Sequence, residues 1–171
     1  MPGYGIRGAA EGTGLLPWSW ATERLTRSHD YWLATTRPDG RPHVMPVWGL
    51  WWDDAVWFSS GLRSSKARNL AADPRCAITT EDPQEPVVVE GTAAQVRDAD
   101  TIRGFAERLG AKYETDYGID FFDPNVNGTY RVVLTWAFGL TESDFEGSPT
   151  RWDFPAHAIT RRPGSRRRGR P

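Results

Sequence analysis

Cysteine is nearly absent: Cys76 is the only one among 171 residues, so no intrachain disulfide can form. Heading an apolar stretch, it reads as a small buried side chain rather than a reactive thiol. Histidine is scarce too. His29, His43 and His157 are scattered, and no metal-ligand spacing links them to Cys76, so no metal is expected. No run approaches the roughly 18 apolar residues of a membrane span, and the first thirty residues show no basic start followed by an apolar core. These absences lead to the expectation of a cytoplasmic protein in a reducing compartment, with no membrane partner. No Ser-His-acid spacing stands out, and the G-x-x-x-x-G-K phosphate loop is missing.

A net charge of one sign is also lacking, since the total is −1. The distribution is uneven, however. Residues 161–171 hold six arginines and no acid, which leaves the other 160 positions with 15 basic against 22 acidic residues. Such a tail has the charge to touch nucleic acid. On an otherwise acidic protein a solvated tail is the simpler expectation, and no nucleic-acid partner is expected. What the chain has in excess is tryptophan, nine in all. So much flat apolar area suits a core, an interface or a stacking site, with packing taking most of it.

The length fits one domain. The expected layout is a glycine-rich arm over 1–16, one domain over 17–158, and a disordered Arg-rich tail over 159–171. Pro17 suits the first turn of a helix over 17–28. Strands are expected at 31–36, 41–52 and 55–60, joined by turns at Pro38-Asp39-Gly40 and Asp53-Asp54. Ser64-Ser65 is a cap signal for a helix over 65–72. Strands at 75–80 and 86–96 follow, with Gly91 marking a bulge. Asp98 caps a helix over 99–112 whose face carries Ile102, Phe105, Ala106 and Leu109. A loop over 113–128, a strand over 130–140 and a short edge strand near 150–154 complete the series. Six strands broken by two or three helices indicate a mainly β chain, a six-stranded antiparallel barrel rather than a doubly wound sheet.

The chemistry concentrates in 43–69. A strand ends in Ser59-Ser60, Gly61 turns the chain, and a helix starts at Ser64-Ser65-Lys66 and runs through Arg68-Asn69. A helix start offers free backbone N–H groups and partial positive charge. Hydroxyls, Arg63, Lys66 and Arg68 add donors, making a cradle for a phosphate. The plainer alternative is an ordinary capped helix with solvated basic residues.

The segments YWLATTRPDGRPHVMPVWGLWW, AVWFSSGLRSSKARNLAADPRCAIT and EPVVVEGTA, in that order and spacing, resemble the pyridoxamine 5′-phosphate oxidase-like split-barrel family. The resemblance spans roughly 15–155 and is nearest the flavin/deazaflavin oxidoreductase branch that uses coenzyme F420. It implies a six-stranded split barrel and a homodimer with two coenzyme sites at the interface. It implies that His43, Met45, Pro46, Val47 and Trp48 lie along the coenzyme ring. It implies that Ser59, Ser60, Lys66, Arg68 and Asn69 hold the phosphate. Trp136 and the 113–125 loop of the partner are candidates to close the site. The second strand is largely apolar where the FMN branch carries more basic residues, which favours F420 over FMN. The implied reaction is hydride transfer between F420 and a small unsaturated or conjugated substrate. The alternatives are an FMN-dependent oxidase or reductase and a non-catalytic F420-binding protein.

Side chains with a possible role have ordinary readings beside it. His43 is a catalytic candidate, as a proton or hydrogen-bond donor, and more simply a barrel-surface or interface residue. His29 and His157 fall near element ends and are expected to face solvent. Glu90 reads first as a salt-bridged strand residue. Strand alternation puts Trp48 and Trp52 on one face and Trp51 on the other; most of these, with Trp57, are expected to be structural.

Overall fold

Antiparallel pairing runs around six strands and returns to its start. The structure is a computed structural model that describes residues 15–154. β1 (Asp30–Thr36), β2 (Pro42–Trp52), β3 (Ala55–Gly61), β4 (Arg75–Thr80), β5 (Val87–Val96) and β6 (Asn127–Gly139) follow the order β3-β2-β1-β4-β5-β6, and β6 pairs back onto β3. The expected barrel is present. β7 (Thr150–Asp153) takes up the end of β6 that β3 leaves unpaired, Trp136–Gly139. The helices are α1 (Trp18–Arg27), α2 (Ser65–Ala72) and α3 (Ala99–Tyr113). The expected tail and His157 lie outside the described residues, as does the expected arm apart from Leu15 and Leu16. No described helix is long and apolar enough to cross a membrane.

Strand alternation divides the apolar residues between two cores. Tyr31, Leu33, Val47, Val56, Phe58, Ile78, Val89 and Val132 fill the barrel, joined by Ala21 and Leu25 of α1 and by Ala67 and Leu70 of α2. The opposite faces of β2 and β3 bring Leu50, Ala55 and Trp57 against Ile102, Phe105, Leu109 and Tyr113, the i, i+3, i+7, i+11 stripe of α3. Asp98 caps α3 by accepting from the Thr101 N–H at 2.9 Å. The β2–β3 hairpin turns at Asp53-Asp54 with φ of 50° and 51°, the left-handed pair that matches strand twist. The expected bulge is at Glu90/Gly91, where a Cβ on Gly91 would lie 2.2 Å from the Val133 carbonyl oxygen.

The stretch expected as a loop over 113–128 differs in two places. β6 begins at Asn127, because Asn127, Gly128 and Thr129 pair with Gly61, Ser60 and Ser59; a long-range partner makes strand of residues with no strand pattern. Inside the expected loop, Ile119–Phe122 forms a 3₁₀ turn, and Phe122 packs edge-on against Phe105 at 5.7 Å.

The barrel is split. β2 pairs with β3 only from Gly49–Trp52 against Ala55–Phe58. Beyond Gly49, β3 continues along β6, while Pro42–Trp48 keeps β1 on one edge and, among the described residues, no strand on the other. α2 fills this end of the barrel with Ala67, Leu70 and the buried Asn69.

Candidate functional site

The free edge of β2 and the start of α2 form the two walls of the site. Along β2, His43, Met45 and Val47 stand opposite Thr35, Leu33 and Tyr31, while Val44, Pro46 and Trp48 stand opposite Ala34, Trp32 and Asp30. Val47 is part of the core. Val44 (52%), Met45 (43%), Trp48 (42%) and the neighbouring Trp32 (45%) are exposed, an unusual concentration of large apolar side chains. Backbone groups on an unpaired edge beside apolar side chains can hold a flat ring by main-chain hydrogen bonds.

The last turn of α3 fixes the fork where the strands part. The Gly49 N–H donates to the Tyr113 hydroxyl at 2.9 Å, and Tyr113 donates to the His29 carbonyl. Lys112 Nζ donates to the Ser28 and Gly49 carbonyls at 2.6 and 2.7 Å. β1 pairs with β2 only as far as Asp30 opposite Trp48, so these side chains replace the missing ladder beyond it. Trp48 stacks on Tyr113 at 4.4 Å and 9°, which sets the plane of the exposed indole. Burial pushes the Tyr113 phenol up to about 12. No sequence signal marks Lys112, whereas Tyr113 continues the apolar stripe of α3 four residues after Leu109.

Burial brings the Lys112 ammonium down to about 8, against the opposing pull of Asp30 and Glu81. The unfolded chain therefore binds more protons than the folded one between about pH 8 and the ordinary lysine range, and this group adds stability as pH rises through that window. Unfolding free energies of the wild type and Lys112→Met, compared from about pH 7.5 to 10, should diverge in favour of the wild type. A constant difference would mean that the ammonium is not desolvated.

At the other wall, Ser60 and Ser64 share a hydrogen bond of 2.9 Å, and Ser64 caps α2 by accepting from the Ala67 N–H. Among the described residues, Lys66 has no carboxylate partner, although partial burial lowers its pKa. A half-buried ammonium without a counter-ion is costly and suits an anion. Arg68 is exposed and donates to the Arg63 carbonyl at 2.7 Å. Ser59 lies on the opposite face of β3 from Ser60. Its hydroxyl is buried without a partner, as is that of Thr129 directly across the β3–β6 pair. Asn69 does not join Lys66 on the open side: it is buried, and its amide donates to Thr35 at 2.9 Å. The structure thus gathers His43, Met45, Pro46, Val47 and Trp48 on one strand, and Ser60, Lys66 and Arg68 at the adjoining helix start. Trp136 is elsewhere, on the outer face of β6, with its indole N–H donating to Glu90 at 2.8 Å and Arg151 stacked over it. Glu90 is therefore bonded to this indole. His29 is exposed and lies 3.3 Å from Asp30.

A barrel parted between β2 and β3, with a capped helix seated at the opening, defines the split-barrel class of protein. Residues 21–135 match the pyridoxamine 5′-phosphate oxidase family, and the chain belongs to it. No curated protein matches the chain. Among solved structures, a conserved hypothetical protein, Rv2991 from Mycobacterium tuberculosis, is 22% identical, with a TM-score of 0.65 over 85% of this chain and 92% of that one. A structure described as an F420 reductase is 28% identical, with a TM-score of 0.55 over 67% of this chain and 93% of that one. A NimC/NimA family protein from Clostridium acetobutylicum is 14% identical, with a TM-score of 0.63 over 80% and 91%.

Proposed function

We propose that this chain is a coenzyme F420-dependent oxidoreductase, transferring a hydride between the deazaflavin and a small unsaturated or conjugated organic molecule. The observation that carries the reading is an edge of β2 that no described strand pairs, beside a helix start whose half-buried Lys66 has no counter-ion among the described residues. A ring carrier with a phosphate-bearing tail needs both parts: a flat apolar slot and a fixed positive anchor. When bound, the deazaflavin supplies the hydride.

The chain's own residues then have separate tasks. The β2 backbone between His43 and Val47 holds the ring, with Met45 excluding water on one face of the strand and Pro46 and Trp48 on the other. Lys66, with the free N–H groups of the first turn of α2, binds the phosphate; Ser60 keeps Ser64 in its capping position. Arg68 sits where it can meet the outer end of the tail. The buried Ser59 hydroxyl, on the opposite face of β3, fits a held water rather than the phosphate. Preference for F420 over FMN rests on the apolar character of β2 and on the likeness to the F420 reductase structure.

Two copies would bury the exposed Trp32, Val44 and Trp48 against each other. That arrangement would let Trp136 of the second copy approach the ring. A homodimer mass in sedimentation is expected.

Titration of the protein with F420 and, separately, with FMN tests the assignment by fluorescence. F420 should bind tightly and FMN weakly; the reverse order would make this an FMN enzyme. Lys66→Ala should weaken coenzyme binding by about 1.5–3 kcal/mol, the range for hydrogen bonds to charged groups. That is roughly 10- to 150-fold in Kd. Unchanged affinity would remove the helix start from the site. Tight binding with no reduction of any acceptor would instead identify a coenzyme carrier.

A further inference from the structure

Thr35 and Asn69 are 4% and 3% exposed, polar, and far along the chain from each other. Asn69 Nδ2 donates to Thr35 Oγ1 at 2.9 Å. A hydroxyl has one proton and two lone pairs, so Thr35 Oγ1, having accepted from the amide, can still donate once. Two atoms of His43 lie within reach, Nδ1 and the carbonyl oxygen, each at 3.4 Å, and the single proton can serve one of them. The three residues come from α2, β1 and β2, and the chain of bonds ends on the free stretch of β2. A neutral imidazole that accepts at Nδ1 carries its proton on Nε2.

We propose that Thr35, oriented by Asn69, is a positioning residue that holds neutral His43 as its Nε2–H tautomer, and so makes His43 a hydrogen-bond donor to a carbonyl oxygen of the ring bound along β2. This rests on the coenzyme reading above for the identity of the ring, but not for the tautomer. The role is one of binding and orientation, since a neutral Nε2–H is a donor and not an acid. Position 35 then has a chemical requirement, a hydroxyl, that its burial alone would not impose.

The test begins without coenzyme. In the full chain labelled with ¹⁵N-histidine at about pH 8, where an unperturbed imidazole is neutral, the His43 signals should report the Nε2–H form. They are assigned by their loss in His43→Gln. Thr35→Val should move them toward a mixture of tautomers, and Thr35→Ser should restore them. An Nδ1–H form in the wild type, or a spectrum indifferent to Thr35→Val, overturns the proposal. F420 titration supplies the second arm. Thr35→Val should weaken binding by roughly three- to tenfold, as for loss of one neutral hydrogen bond, and Thr35→Ser should bind as the wild type does. A tautomer that shifts while affinity holds overturns the donor role. Failure of the wild type to bind either coenzyme is a different result: it defeats the coenzyme reading and the donor role with it, and the tautomer outcome still decides whether Thr35 positions His43.

Discussion

Gly49→Ala should destabilise the protein by about 3 kcal/mol, at the upper end for overpacking in a closed core. A Cβ at this position would lie 2.6 Å from the Trp57 carbonyl oxygen and 3.3 Å from the Tyr31 ring. The closer of these is main chain, which cannot swing aside. Trp57 is itself confined: its indole N–H donates to the Trp52 carbonyl, and the ring packs against Trp52 and Phe105. The methyl group can be accommodated only by moving β2 away from β3 at the last residue pair before they part, Gly49 opposite Phe58. The fork would then open toward the barrel, and coenzyme affinity should fall together with stability. Urea unfolding, read alongside F420 titration, checks both. A loss below about 1 kcal/mol, within the ordinary range for a point substitution, would show that the fork yields and that Gly49 is not required by its shape.

Most strands were legible because each carried its own pattern. YWLATT, AVWFSS and RCAITT alternate or run apolar between turn residues, and the structure has β1, β3 and β4 there. Local pattern could not show where two strands stop pairing. β2 reads as one long strand and is one, but only four of its residues pair with β3. The split depends on β3 being drawn onto β6, some seventy residues later, and that pairing also makes strand of Asn127–Thr129. The same limit applies to the candidate site. Lys66 and Asn69 are three apart, and helix geometry alone sets them on one side of α2. Which way the helix faces was decided by burial of Ala67 and Leu70, which carries Asn69 inward to Thr35 and leaves Lys66 at the boundary. Lys112 was invisible for a related reason. A lysine near a helix C-terminus is ordinary in sequence, and only the end of the β1 ladder gives it two carbonyls to hold.

Tyr113 joins these levels, and Tyr113→Ala should cost about 3–5 kcal/mol, the range for truncating a buried aromatic. The side chain is 9% exposed and closes the stripe of α3 against Leu50 and Trp57. Its hydroxyl also receives the Gly49 N–H and reaches the His29 carbonyl, so it ties the fork in β2 to the residue before β1. Tyr113→Phe separates the two contributions. It keeps the ring beneath Trp48 and removes only the oxygen, leaving the Gly49 N–H unsatisfied at a cost of about 1–3 kcal/mol. The fluorescence of Trp48 distinguishes the variants further. Its indole rests on the Tyr113 ring, so Tyr113→Ala should free it and raise quenching by iodide, whereas Tyr113→Phe should leave it stacked. If Tyr113→Phe were as damaging as Tyr113→Ala, the hydroxyl rather than the ring would hold the fork. The plane of Trp48, and with it the wall of the proposed ring slot, would then depend on the polar contacts of one hydroxyl, to Gly49 and His29.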